Sequence, residues 1–139
     1  MNKKTTRIII FNLFKILLVA QFISCNDTQN NGDKETENKR ALLSKSWKID
    51  LYTVNDINYT SLIYNYVETF RSSGQYNYSW SIFEGSGVWH FQNKDTEIKL
   101  KGIDKQASRT LTILKLEEKR LWYYFQDSVG KHEFKLIKE

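Results

Sequence analysis

Residues 64–91 read YNYVETFRSSGQYNYSWSIFEGSGVWHF, and this stretch decides the fold. Tyr64, Tyr66, Glu68 and Phe70 occupy alternate positions and lead into Arg71-Ser72-Ser73-Gly74. Beyond that turn Tyr76, Tyr78 and Trp80 alternate with Asn77 and Ser79. Two period-two runs rich in aromatic side chains, joined by a short glycine-bearing segment, predict an antiparallel hairpin. Gly85-Ser86-Gly87 reads as a strand break, and Gly87 to Phe91 as the next strand.

The pattern extends in both directions. Upstream, Trp47, Ile49 and Leu51 alternate with Lys48, Asp50 and Tyr52, predicting one apolar and one wet face. Downstream, Asn93-Lys94-Asp95 turns the chain into a strand from Glu97 to Lys101. Strands Arg109 to Leu116 and Arg120 to Gln126 follow, separated by Glu117-Glu118-Lys119, and Asp127 to Gly130 turns into a last strand, Lys131 to Lys138. Residues 42–139 hold 17 of the chain's 20 aromatic residues, a density that favours strands. The expectation is all-β: eight short strands and at most one helical turn, at Lys39 to Leu43. An up-and-down antiparallel barrel is the closure that leaves such a meander without edges.

Ahead of this domain the sequence changes character. Residues 1–7 carry three positive charges, and residues 8–24, IIIFNLFKILLVAQFIS, are mostly apolar, the order of a secretory signal peptide. Lys15 argues against a spanning helix, since a lysine at mid-bilayer costs ~3 kcal/mol. Phe22-Ile23-Ser24-Cys25 resembles the lipobox of bacterial lipoproteins, with Phe22 where leucine is usual. That resemblance implies a diacylglycerol on Cys25 and cleavage just before it. Residues 26–40, NDTQNNGDKETENKR, contain no large apolar side chain and predict a flexible tether spanning on the order of 20 Å. Asn26, rather than aspartate, follows the cysteine, which in Gram-negative lipoproteins favours the outer membrane; the side of that membrane is left open. The expected organisation is a signal peptide over 1–24, lipidated cysteine and tether over 25–41, and a barrel over 42–139.

The formal charge of +5 has no binding face behind it. Lys3, Lys4, Arg7 and Lys15 lie in the first 24 residues, which contain no acid, and the other 115 residues carry 17 basic and 16 acidic groups. A nucleic-acid partner is therefore not expected. With 139 residues, one cysteine and no proline, a second ordinary domain, a disulfide scaffold and a cysteine-ligated zinc site are also excluded.

Leu43 and Trp47 opening the first strand, Phe70-Arg71-Ser72-Ser73-Gly74-Gln75-Tyr76, Gly87-Val88-Trp89 and the late strand Leu111-Thr112-Ile113-Leu114-Lys115-Leu116 together resemble the bacterial lipocalin-like lipoproteins in order and spacing. Lys45 stands where that group usually has a glycine two residues before the first tryptophan. The resemblance covers roughly Leu42 to Glu139. It implies an eight-stranded lipocalin-like barrel, binding of a small apolar molecule, and no cofactor.

Motifs for chemistry are absent. There is no phosphate-binding glycine loop and no G-x-S-x-G elbow. His90 and His132 are 42 residues apart with no acidic residue at metal-ligand spacing, so no metal site is expected. Glu117-Glu118 reads as a solvated turn, and Asp127-Ser128-Val129, which matches a loose bacterial O-glycosylation pattern, as a plain turn. The chain reads as a non-enzyme and a monomer held to the membrane through lipid. Tyr76, Tyr78, Trp80, Trp89 and Phe91 are the candidate wall of a pocket for a small hydrophobic or amphiphilic ligand, with core packing as the competing role. The alternative function is a protein-interaction module, such as an envelope-complex partner or an inhibitor of a lysozyme-like enzyme.

The lipid anchor has a direct test. Replacing Cys25 by alanine is expected to abolish metabolic labelling with palmitate and to block lipidation-dependent cleavage; undiminished labelling of that variant overturns the assignment.

Overall fold

The computed structural model describes residues 27–102 and 108–139, with side chains from residue 32 onward. Cys25 and the signal segment lie outside the described residues. A helix, α1 (Asp27–Leu43), precedes nine strands: β1 (Ser46–Val54), β2 (Ile57–Asn58), β3 (Val67–Phe70), β4 (Gln75–Trp80), β5 (Phe83–Gln92), β6 (Glu97–Lys101), β7 (Arg109–Glu117), β8 (Arg120–Gln126) and β9 (Lys131–Lys138). Sequential antiparallel pairing runs from β3 to β9, and β1 pairs with both β3 and β9, closing an eight-stranded barrel. The two-residue β2 is an extra ribbon on the far end of β1. The expected eight-stranded meander is therefore the fold, and closure removes its edges.

Three local expectations are corrected. The Gly85-Ser86-Gly87 stretch does not break the sheet; it lies inside β5, with Gly85 opposite Tyr78 and Gly87 opposite Tyr76. Glycines across from two large inward rings leave those rings room within a continuous ladder. On β1 the register shifts between Ile49 and Leu51, so Tyr52, not Leu51, pairs with buried Phe134 and turns inward. A bulge adds one residue and reverses the alternation beyond it. A second bulge, between Ile113 and Lys115, leaves Leu114 about half exposed.

The third correction concerns the expected tether over residues 26–40, which is helical from Asp27. From Lys34 onward the segment is rich in strong helix formers, and Glu35 bonds Lys39 one turn later at 3.1 Å. Tertiary contact supplies the rest. The compact unit that carries the barrel starts at Glu35, and its helical end docks on one end of the barrel, called here the base. Leu43 is fully buried, the Trp47 indole N–H donates to the Leu43 carbonyl at 3.0 Å, and the Arg40 guanidinium lies 4.7 Å from the centre of the Trp89 ring. Arg40 also donates to the Ser72 carbonyl, and Thr36 donates to Asp95.

Lys45, standing where lipocalin-like lipoproteins usually have a glycine, closes the base. Its ammonium donates to Glu118 at 2.9 Å and stands 5.5 Å from the Trp47 ring centre, while Glu139 N–H donates to the Ser46 carbonyl. Trp47, Phe70, Leu121 and Leu136, each at most 1% exposed, fill the interior at this end. Substituting Trp47 by alanine is expected to cost about 3–5 kcal/mol in urea unfolding, because a cavity replaces a fully buried indole; a loss below about 1 kcal/mol contradicts its place in the core.

Candidate functional site

Strand directions make the two ends of the barrel unlike. The base receives the turns at 71–74, 93–96 and 117–119 and the end of α1. The opposite, open end receives 55–66, 81–82 and 127–130. Among the described residues nine large apolar side chains are exposed. Seven of them, Ile57, Tyr59, Leu62, Tyr64, Ile82, Phe83 and Val129, belong to the open end, so exposed apolar surface is gathered there rather than scattered.

The open-end loops are tied to one another. Asn55 donates to the Val129 carbonyl and accepts from Lys131 N–H, which joins the 55–56 turn to the 127–130 turn. Gly130, at φ +148°, allows this approach, since a Cβ there would stand 2.3 Å from the Asn55 side chain. The Trp80 indole N–H donates to the Leu62 carbonyl, fastening the 3₁₀ turn Thr60–Ile63 to the β4–β5 hairpin.

Below this rim, inward side chains form a layer of polar-edged rings. Tyr52 contacts Phe134 at 4.6 Å between ring centres, Tyr66 contacts Tyr78 at 6.1 Å and Phe134 at 5.7 Å, and Phe125 stacks on His132 at 4.6 Å with planes 7° apart. His132 is held at both ring nitrogens: Nε2 lies 3.0 Å from Asp127 and Nδ1 2.8 Å from the Tyr52 hydroxyl. The carboxylate can only accept, so in the neutral ring Nε2–H donates to it and Nδ1 accepts from Tyr52. Asp127 is held below the usual carboxylate range by backbone N–H donation from Val129 and by the His132 bond. Burial raises the Tyr52 phenol above its ordinary value.

One layer deeper is Glu68, fully buried on β3. Its Oε2 accepts hydrogen bonds from the hydroxyls of Tyr66, Tyr76 and Tyr123 at 3.0, 3.0 and 3.1 Å. Its other carboxyl oxygen, Oε1, is buried and accepts no hydrogen bond among the described residues. An unsatisfied buried acceptor costs about 1–3 kcal/mol, so this oxygen opposes stability where it stands. Desolvation pushes the carboxyl up to about 7, against the opposing pull of the three tyrosine donors and the Arg109 charge. Burial likewise raises Tyr66, Tyr76 and Tyr123 well above the ordinary phenol range.

The five aromatics expected to line one pocket are divided by the barrel. Trp89 and Phe91 pack edge to face at 5.3 Å toward the base, and the Trp89 indole donates to the Arg71 carbonyl. Trp80 sits at the open end against Phe83 at 5.4 Å. Tyr76 and Tyr78 occupy the interior between them, 6.3 Å apart. Only Tyr78 and Trp80 of the five border the open-end layer. Sequence reading passed over Glu68, Tyr52, Arg109, Tyr123 and the role of His132. The signal for Glu68 was present, as a carboxyl in alternation with Tyr66 and Phe70 on an apolar strand face. Asp127, His132 and Tyr52 meet only through strand pairing. Among the described residues no cluster of three or more histidine, cysteine or acidic side chains has the geometry to hold a metal ion.

No protein-family model matches the chain, and no curated protein matches it significantly.

Glu68 makes stability depend on pH. The native state keeps the carboxyl proton up to about pH 7, whereas the unfolded chain releases it near 4.5. Between these values the native state binds more protons, so stability falls as pH rises. Unfolding free energies at pH 5 and pH 8 are expected to differ by a component of about 2–3 kcal/mol that Glu68→Gln removes. The same pH slope in wild type and variant contradicts this.

Proposed function

We propose that this protein is a lipid-anchored, lipocalin-like barrel of the cell envelope that binds a small hydrophobic or amphiphilic molecule at the open end of its barrel. The observation that carries this reading is the coincidence of two features: seven exposed apolar side chains gather at this end, and beneath them lies a layer of rings, Tyr52, Tyr66, Tyr78 and His132 with polar edges and Phe125 without one. Apolar walls with a few convergent polar groups are the usual composition of small-molecule sites. Among the described residues, none of the exposed large apolar side chains lies in the turns of the base, whose interior Trp47 and Leu43 fill. Cys25 supplies the anchor, and the outer membrane is its proposed address.

Binding rather than catalysis is the proposed task.

A second reading draws on the same rim. Ile82 is 88% and Val129 69% exposed at hairpin tips, a placement that suits docking to another envelope protein as well as guarding a ligand mouth. One experiment separates the two. In a thermal-shift screen of fatty acids, quinones and sterol-like compounds, ligand binding stabilises the barrel by RT ln(1 + [L]/Kd), about 2.7 kcal/mol at a hundredfold excess over Kd. The ligand reading expects a positive shift that Tyr78→Ala weakens. No shift with any compound, together with a large loss of stability in Tyr78→Ala, makes that ring core and moves the interaction module into first place.

A further inference from the structure

Arg109 opens β7 at the open end, opposite Leu100 on β6. Directly paired residues of an antiparallel ladder share a face, and Leu100 is 1% exposed, so Arg109 projects over the barrel interior. Its guanidinium carbon lies 4.2 Å from the centre of the Phe125 ring. Phe125 in turn lies flat on His132, which Tyr52 and Asp127 hold from both sides. Arg109, Phe125 and His132 thus form a stack whose last member is fixed, which orients the guanidinium in advance of any ligand. A guanidinium stacked on a ring still has its N–H edge for bidentate bonds to a planar or tetrahedral anion.

Among the described residues that edge is unused: Arg109 forms no hydrogen bond and no ion pair with them. Among the described residues, the carboxylates of this layer and of the one beneath it are committed elsewhere. Asp127 is committed to His132 and to the Val129 and Gly130 amides. Glu68 is buried one layer below among three tyrosine hydroxyls. A positive charge with spare donors therefore stands over a ring-lined layer, at the same end of the barrel as exposed Leu62, Ile82 and Phe83.

Resting on the open end as the ligand site, we infer that Arg109 is the recognition group for an anionic head, so that the ligand class is an amphiphile bearing a carboxylate or a phosphate on an apolar chain. The head takes the guanidinium edge, and the chain lies against the rim and the rings beneath it. Carboxylate and phosphate satisfy the same fork, and the two sources are separated by using both as probes.

The test is equilibrium dialysis of radiolabelled octanoate, octyl phosphate and 1-octanol against the full chain in nanodiscs, with empty nanodiscs subtracting the lipid contribution. At least one of the two anions is expected to bind about tenfold more tightly than the alcohol, the difference a charge-assisted bidentate pair makes; the tighter anion identifies the head group. Arg109→Gln should erase that preference while leaving octanol binding unchanged, and Arg109→Lys, which keeps the charge but loses the fork, should retain only part of it. Because the side chain makes no hydrogen bond within the described protein, Arg109→Gln leaves no partner unsatisfied, and an unchanged circular dichroism spectrum checks the fold. Octanol binding as tightly as both anions, or a preference that survives Arg109→Gln, overturns the inference and leaves the ligand site standing. Binding of none of the three above empty nanodiscs overturns both.

Discussion

The antiparallel pairing of β1 with β9 is the contact on which the rest of the structure depends. It joins residues 47–54 to residues 132–138 through seven register pairs, from Trp47 with Lys138 to Val54 with His132. Without it the chain is a curved meander with two long exposed edges, a template for aggregation. With it, every inward position faces other inward positions, and the interior must be filled by what eight short strands supply. Large rings do this: Phe70, Tyr76, Tyr123, Phe134 and Trp89 are each at most 8% exposed. The same pairing carries His132 to Tyr52, and so creates the hydrogen-bonded arrangement at the open end.

Closure also makes two ends, and sequence-local chemistry makes them different. At the base, Leu43 and Trp47 plug the interior while Lys45 and Arg40 bridge the turns above hydrophobic rings. Long basic side chains suit this position because their stems cover rings while their heads remain near water. At the open end the described connections, 55–66 the longest of them, carry exposed Ile, Leu, Phe and Tyr above a layer of rings rather than a plug. Stability concentrates at one end and accessible apolar surface at the other. Binding surfaces borne on loops and positioned by a rigid scaffold follow this arrangement.

Glu68 shows the tension between the two. A fully buried carboxyl among three phenols is a poor way to stabilise a small core, since desolvation outweighs what three hydrogen bonds to one oxygen return and the other oxygen accepts none among the described residues. It does, however, fix three rings from β4, β8 and the start of β3 in one orientation. Such a network specifies side-chain positions where an all-apolar core would tolerate several packings.

By itself the sequence determined the strand pattern, the turn at Arg71 to Gly74, the apolar face carrying Trp47 and Ile49 and, through closure of a meander that must hide its edges, the barrel. Period-two alternation and turn residues are local signals, and they are legible because each depends only on near neighbours. What the tertiary structure decided was everything set by register. A one-residue bulge at Asp50 exchanged Leu51 for Tyr52 inside the barrel, and the ladder partner of each large ring turned Gly85 and Gly87 from a break into part of β5. Docking against Trp47 and Trp89 secured the end of a helix in a segment whose composition reads as coil. Asp127, His132, Tyr52 and Arg109 belong to three different strands and a turn, up to 80 residues apart. No spacing rule links them, because long-range strand pairing rather than chain connectivity sets their distance.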